Sequence, residues 1–141
     1  MAKVARAARN ASRLRVETVS ADKTITQAEA GELYLVDAST AATNFTITLP
    51  ACQEGAYFTF LLAADSASDS EVMIDAGSGV TISGIAVDTA GNLVTSDLSN
   101  RKILFPDSAG KGSKLSIVSD GSNWIIVDAL CDIAFVEGSF S

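Results

Sequence analysis

The chain has 141 residues, a formal net charge of −7, 48% hydrophobic but only 6% aromatic residues, and no histidine. That length suits one domain with a sizeable core. The missing imidazole excludes Ser-His-Asp and Cys-His catalysis and removes the commonest metal ligand, and no apolar run approaches the roughly 20 residues of a membrane-spanning helix.

The charge is unevenly placed. Lys3, Arg6, Arg9, Arg13 and Arg15 lie in the first fifteen residues with no acid among them, and all 17 acids follow. A basic arm on an acidic body is expected to dock where the body does not, and such a body repels nucleic acid. Residues 1–12, M-A-K-V-A-R-A-A-R-N-A-S, form this arm. Lys3, Arg6, Arg9 and Arg13 recur at the spacing of one helical face, yet so short a helix is marginal alone in water. The arm is therefore expected to order on a protein partner; an organelle transit peptide, a nucleic-acid tail and a plain solvated extension are the alternatives. It lacks the continuous apolar stretch of a secretory signal.

From residue 13 to 141 the period is that of strands. Leu14, Val16 and Thr18 alternate with Arg13, Arg15 and Glu17. Residues 22–26 turn, with room for a short strand, and 27–31 are a connection too short for a helix. Strands are expected over 32–37, over 45–49 where Pro50 stops the run, and over 57–63, whose sequence Y-F-T-F-L-L-A is the most hydrophobic and suits a central strand. Further strands follow at 71–75, 80–82, 85–87, 93–95, 102–105 and 133–136. The Gly-rich stretch 75–95 could stack in the manner of a β-helix.

The clearest hairpin is K-L-S-I-V-S-D-G-S-N-W-I-I-V-D, residues 114–128. Asp120-Gly121 between two apolar runs is a turn signal, because Gly takes positive φ without a Cβ clash and Asp bonds to nearby backbone. Trp124, the single tryptophan, is expected to anchor the core, and the hairpin to close the sheet architecture. About eleven short strands with turns every eight to twelve residues make the chain all-β: a single β-sandwich or jelly-roll-like domain behind an extended arm, with a β-helix-like trimeric module as the alternative. The few large side chains point to an oligomer.

Site chemistry is sparse. Asp65, Asp69, Glu71 and Asp75 are dense but sit in or beside a Ser/Ala-rich loop and miss the calcium-loop spacing. Gly110-Lys111-Gly112-Ser113 fails as a phosphate loop: Phe105 and Gly112 stand where Gly and Ser or Thr are required, so a hairpin-type loop is expected. The dinucleotide fingerprint stops after Gly77 and Gly79, since residue 82 is Ile. Cys52 and Cys131 read as two small core residues, with a disulfide left open. The expectation is a non-enzyme without metal or cofactor.

Four stretches in order resemble a pattern of tailed-bacteriophage virion proteins: G-E-L-Y-L-V-D-A-S (31–39), F-T-I-T-L-P-A (45–51), E-G-A-Y-F-T-F (54–60) and S-D-G-S-N-W (119–124). The order resembles β-rich modules of head decoration (cement) proteins and of fibres, over about residues 30–129. The resemblance implies a homotrimeric structural protein on the outer surface of the capsid that stabilises the shell. Its partners would be the major capsid protein and its own copies, without nucleic acid or membrane. It implies capsid contacts from the arm, with Lys3, Arg6, Arg9, Arg13 and Arg15 as charge partners. The runner-up is a tail-fibre or spike tip that binds a host surface receptor.

Overall fold

The structure, a computed structural model, describes residues 14–88, 90–96, 100–130 and 133–136. These residues are all-β. Two mixed sheets form a sandwich around one core, and the only helical element among the described residues is a 3-10 turn, Gln27–Glu29. The thirteen strands are β1 (Val16–Val19), β2 (Lys23–Thr24), β3 (Leu33–Val36), β4 (Phe45–Thr48), β5 (Tyr57–Leu62), β6 (Val72–Asp75), β7 (Ile82–Ser83), β8 (Ile85–Val87), β9 (Leu93–Thr95), β10 (Lys102–Phe105), β11 (Lys114–Ser119), β12 (Trp124–Leu130) and β13 (Ala134–Val136). The larger sheet runs β1-β3-β5-β11-β12-β8-β9, with β7 also on β12; the smaller runs β13-β10-β6-β4-β2. The hydrophobic run expected to be central is interior, as β5 lies between β3 and β11.

The first six strands alternate between the sheets, and each of β1 to β4 pairs in parallel with the strand two places on. Thus β1, β3 and β5 stack in the larger sheet, and β2, β4 and β6 in the smaller. This is a two-sided coil of three turns. It occupies residues 16–75, not the Gly-rich stretch 75–95 for which β-helix-like stacking was the alternative. Val16 registers on Leu33, but Leu33 on Thr59; the unequal coils hide the repeat. The Gly-rich strands β7 and β8 instead pair in parallel with β12, and β9 folds back on β8.

From β10 onward the chain adds antiparallel pairs, β10 on β6, β11 on β5, β12 on β11 and β13 on β10, beside the parallel contacts of β12 with β7 and β8. The loop containing Gly110 and Gly112 is no hairpin: it carries the chain from β10 in the smaller sheet to β11 in the larger. Its turn is held by Ser113 N donating to Gly110 O (3.1 Å), with Gly112 at φ +91°.

Alternation fills the interior. Tyr34 and Val36, Phe58, Phe60 and Leu62, Leu115 and Ile117, and Trp124 point inward from the larger sheet. Phe45, Ile47, Val72, Ile74, Ile103 and Phe105 meet them from the smaller. Tyr34 stacks on Phe60 at 5.5 Å, and Phe58 is tilted against Trp124 at 5.7 Å. The aromatics are few but concentrated, so each fills volume that small side chains would leave open.

The predicted hairpin forms as read. Asp120 Oδ1 accepts from the backbone N–H groups of Ser122 (2.8 Å) and Asn123 (2.7 Å), and Gly121 sits at φ +98°. Those hydrogen bonds, Asn123's first, hold the Asp120 carboxyl below the ordinary carboxylate range. The pair β11–β12 lies inside the larger sheet, between β5 and β8, and does not close its edge. Cys52 is free and packs against the core. Cys131 lies outside the described residues.

Candidate interaction surface

The outer face of the larger sheet departs from the usual polar exterior of a sandwich. On β3 the outward residues are Leu33 and Leu35, on β5 Tyr57, Thr59 and Leu61, and on β11 Lys114, Ser116 and Val118. On β12 a register shift opposite Ser116/Ile117 inserts one residue, so Val127 and Asp128 both face outward and Ala129 returns inward. The register then aligns Leu35, Leu61, Lys114, Leu130, Val87 and Leu93 in one row across six strands.

All eight large hydrophobic side chains exposed among the described residues lie on this one face: Leu14, Val16, Tyr57, Ile85, Leu93, Ile125, Val127 and Leu130. At side-chain areas of roughly 150–200 Å² and their observed exposures, they present about 700 Å² of apolar surface, at or above the largest patch of an ordinary monomer. The charged strand residues on the face are Lys114 and Asp128. They pair at 2.8 Å, which leaves the face electrically neutral. Its polar centre is also internally matched, with Thr59 Oγ1 3.0 Å from Ser116 Oγ and 3.3 Å from Tyr57 Oη. Hydrogen bonds from Ser116 and then Thr59 lower the Tyr57 phenol.

The face has relief. A trough of about 460 Å³ lies between Leu14, Leu33, Tyr57, Thr59, Leu61 and Lys114, with Glu32, paired to Arg15 at 3.6 Å, also in its lining. Toward the other edge lie Leu93 (68% exposed) and Leu130 (65%), the two most exposed of the eight, with Val127 (58%) on the same strand as Leu130. The outer side of the smaller sheet exposes no large hydrophobic side chain among the described residues: Met73 and Leu104 lie on it but are buried, Thr46 and Thr48 are half-buried, and Asp75 is paired with Arg101 (3.4 Å) and Lys102 (4.0 Å).

At the β1–β2 edge sits a compact charged cluster. Lys23 Nζ lies 3.0 Å from Glu17 and 2.8 Å from Glu29, and 5.7 Å from the Tyr34 ring centroid. Glu29 also accepts from Thr26 N (2.6 Å) and Thr26 Oγ1 (2.9 Å), which caps the 3-10 turn. Glu17, Glu29 and Glu32 are close enough together to bracket a cation, but the Lys23 ammonium already provides the positive charge between Glu17 and Glu29. Partial burial pushes the Glu29 carboxyl up; the hydrogen bonds from Lys23 and Thr26 outweigh it and bring it down to about 2 from 4.5. A carboxyl depressed on folding contributes stability that is complete above about pH 4.5 and lost as pH falls toward 2. The urea midpoint should therefore decline over that window, and the decline should be shallower in Glu29→Gln. Lys23→Ala should cost about 1 kcal/mol at neutral pH in the same assay.

The residues singled out in the sequence are placed as follows. Lys3, Arg6, Arg9 and Arg13 lie outside the described residues. Arg15 is engaged with its own body, donating to Ala30 O (2.8 Å) and Ala28 O (3.4 Å) and pairing with Glu32 (3.6 Å). Asp65 and Asp75 do not converge. Asp65 accepts from Lys111 N (2.7 Å), whereas Asp75 caps Gly77 N (2.8 Å) beyond the far end of β6 from Asp69 and Glu71. The apolar outer face was not singled out in the sequence, although a signal existed. Leu33 to Val36 and Trp124 to Val127 are apolar at every position, and a strand apolar on both sides has two faces to cover. No protein-family model and no curated protein matches this chain.

Proposed function

We propose that the chain is a structural virion protein that binds the outside of a phage capsid as a trimer and cements the shell. The ordered resemblance over residues 30–129 supports this reading, and the observation that carries it is the gathering of every exposed large hydrophobic side chain among the described residues on one neutral sheet face. Such a face suits assembly. The architecture suits an assembly component too. The polar contacts among the described residues are ion pairs and turn caps that hold the fold. In this reading Arg15 fixes the root of the arm to the body, and Lys3, Arg6, Arg9 and Arg13 meet acidic groups on the major capsid protein. Three arms on one trimer would bind with an avidity far above that of one arm, because the second and third contacts form at high effective concentration.

Deleting residues 1–12 should abolish co-sedimentation with capsids while leaving the circular dichroism and oligomeric state of the body unchanged. A truncated protein that binds capsids as the full chain does would overturn the arm's role. Immunogold label on the tail instead of the head would overturn the capsid assignment in favour of a fibre tip.

A further inference from the structure

We infer that the outer face of the larger sheet is where copies of this chain pack on one another, the ridge of Val127, Leu130 and Leu93 on one copy entering the trough of Leu14, Leu33 and Tyr57 on the next. This deepens the proposed function by assigning its self-association to one face, and it stands on four observations.

The first is area. The eight exposed side chains alone offer about 700 Å² of apolar surface on each copy, which a ring divides between two contacts, so that they supply about half of the roughly 800 Å² per partner of a stable interface. The half-buried Leu33, Leu35, Leu61 and Val118 add to it.

The second is charge. Two bodies rich in acid repel at long range, so a self-contact requires a face without net charge. Lys114 and Asp128 neutralise each other across neighbouring strands at 2.8 Å, and every other strand position on the face is uncharged. A capsid partner recognised by charge would leave such neutrality without purpose.

The third is shape. The trough lies on the β1–β5 side and the ridge on the β12–β9 side of the same face. A ridge-into-trough contact is heterologous, so it propagates from copy to copy until the rotation closes a ring. Sheets facing a common axis satisfy both halves at once.

The fourth is polar matching. The Tyr57, Thr59 and Ser116 hydroxyls bond among themselves, and Ser116 is fully buried although it faces outward. The Thr59 and Ser116 protons are thus met within the body, which leaves the Tyr57 proton and the Thr18, Ser83 and Thr95 hydroxyls of the face to be met by the opposing copy.

The test uses the full chain. Sedimentation velocity across a hundredfold concentration range should show an oligomer, with three copies as the expected mass. Val127→Asp on the ridge and Val16→Asp beside the trough should each raise the dissociation constant at least ~tenfold, as desolvated contact residues do. Thr46→Asp on the outer face of the smaller sheet should leave it unchanged. Hydroxyl-radical labelling of the unmodified protein gives a readout independent of variant folding: Tyr57 and Leu130 should be protected in the oligomer relative to the dilute chain. A wild-type monomer at every concentration would overturn the inference, as would an oligomer indifferent to both substitutions or one that leaves Tyr57 and Leu130 unprotected. Failure of the proposed function looks different: an oligomer that dissociates on Val127→Asp but binds no capsid sinks the capsid reading and leaves this inference standing.

Discussion

Replacing Trp124 with alanine should cost about 3–5 kcal/mol, enough to remove much of the stability of a domain this size. Trp124 is fully buried at the first position of β12, with its ring against Phe58 and its backbone paired beside Ile82. Its own N–H donates to Thr81 O at 2.9 Å, which ties the β11–β12 hairpin to the chain entering β7. Alanine would leave a large cavity at the junction of four strands, lined by aromatic and branched side chains that cannot collapse into it. Trp124→Phe should cost far less, about 1–2 kcal/mol. It keeps most of the ring contact and removes an indole Nε1 that has no protein acceptor among the described residues. Far-UV circular dichroism in urea at one fixed protein concentration measures both, since the substitutions remove the single tryptophan fluorophore. A loss below about 1 kcal/mol for the alanine variant would show that Trp124 is not a core anchor.

Trp124 also marks where sequence reading succeeded and where it stopped. Local signals were legible because their causes are local. Asp120 bonds two following N–H groups, Gly121 supplies positive φ, and Pro50 follows closely on the end of β4. Alternation in F-T-I-T placed Phe45 and Ile47 inside without any knowledge of their neighbours. Pairing was not legible. That Val36 lies between Val19 and Leu62 depends on loops of unequal length closing three parallel coils, and parallel pairing leaves no turn signature between partners. The bulge at Val127 was hidden for a related reason. An inserted residue changes which face Asp128 occupies, yet the run W-I-I-V-D reads the same with or without it. The neutral outer face depends on that bulge, because it carries Asp128 to the side where Lys114 can reach it. A surface assembled from six strands and one bulge therefore had no counterpart in any short stretch, even though each of its residues was plainly apolar.

Gly84→Ala should be the most damaging glycine-to-alanine change among the described residues, costing about 2–3 kcal/mol. Gly84 separates β7 from β8 at φ +143°, a conformation that L residues rarely adopt. A Cβ there would lie 2.7 Å from Ile126 Cβ and 3.2 Å from Ile126 N, so backbone must move. Gly91 provides the comparison. It also has positive φ, +84°, but open space around its missing Cβ, so Gly91→Ala should cost only about 1 kcal/mol of backbone strain. The difference between the two isolates the steric term. Gly84 further bonds Ser96 in both directions, its N–H to Ser96 Oγ at 3.3 Å and its O from Ser96 N at 3.2 Å, which holds β9 against β8. Moving that kink would shift Ile85 and Leu93, the far end of the apolar outer face. Gly84→Ala should therefore lower the urea midpoint and weaken self-association together, whereas Gly91→Ala should lower the midpoint slightly and leave association unchanged. Equal urea midpoints for the two variants would mean that close packing of Gly84 on Ile126 does not set the geometry of this edge.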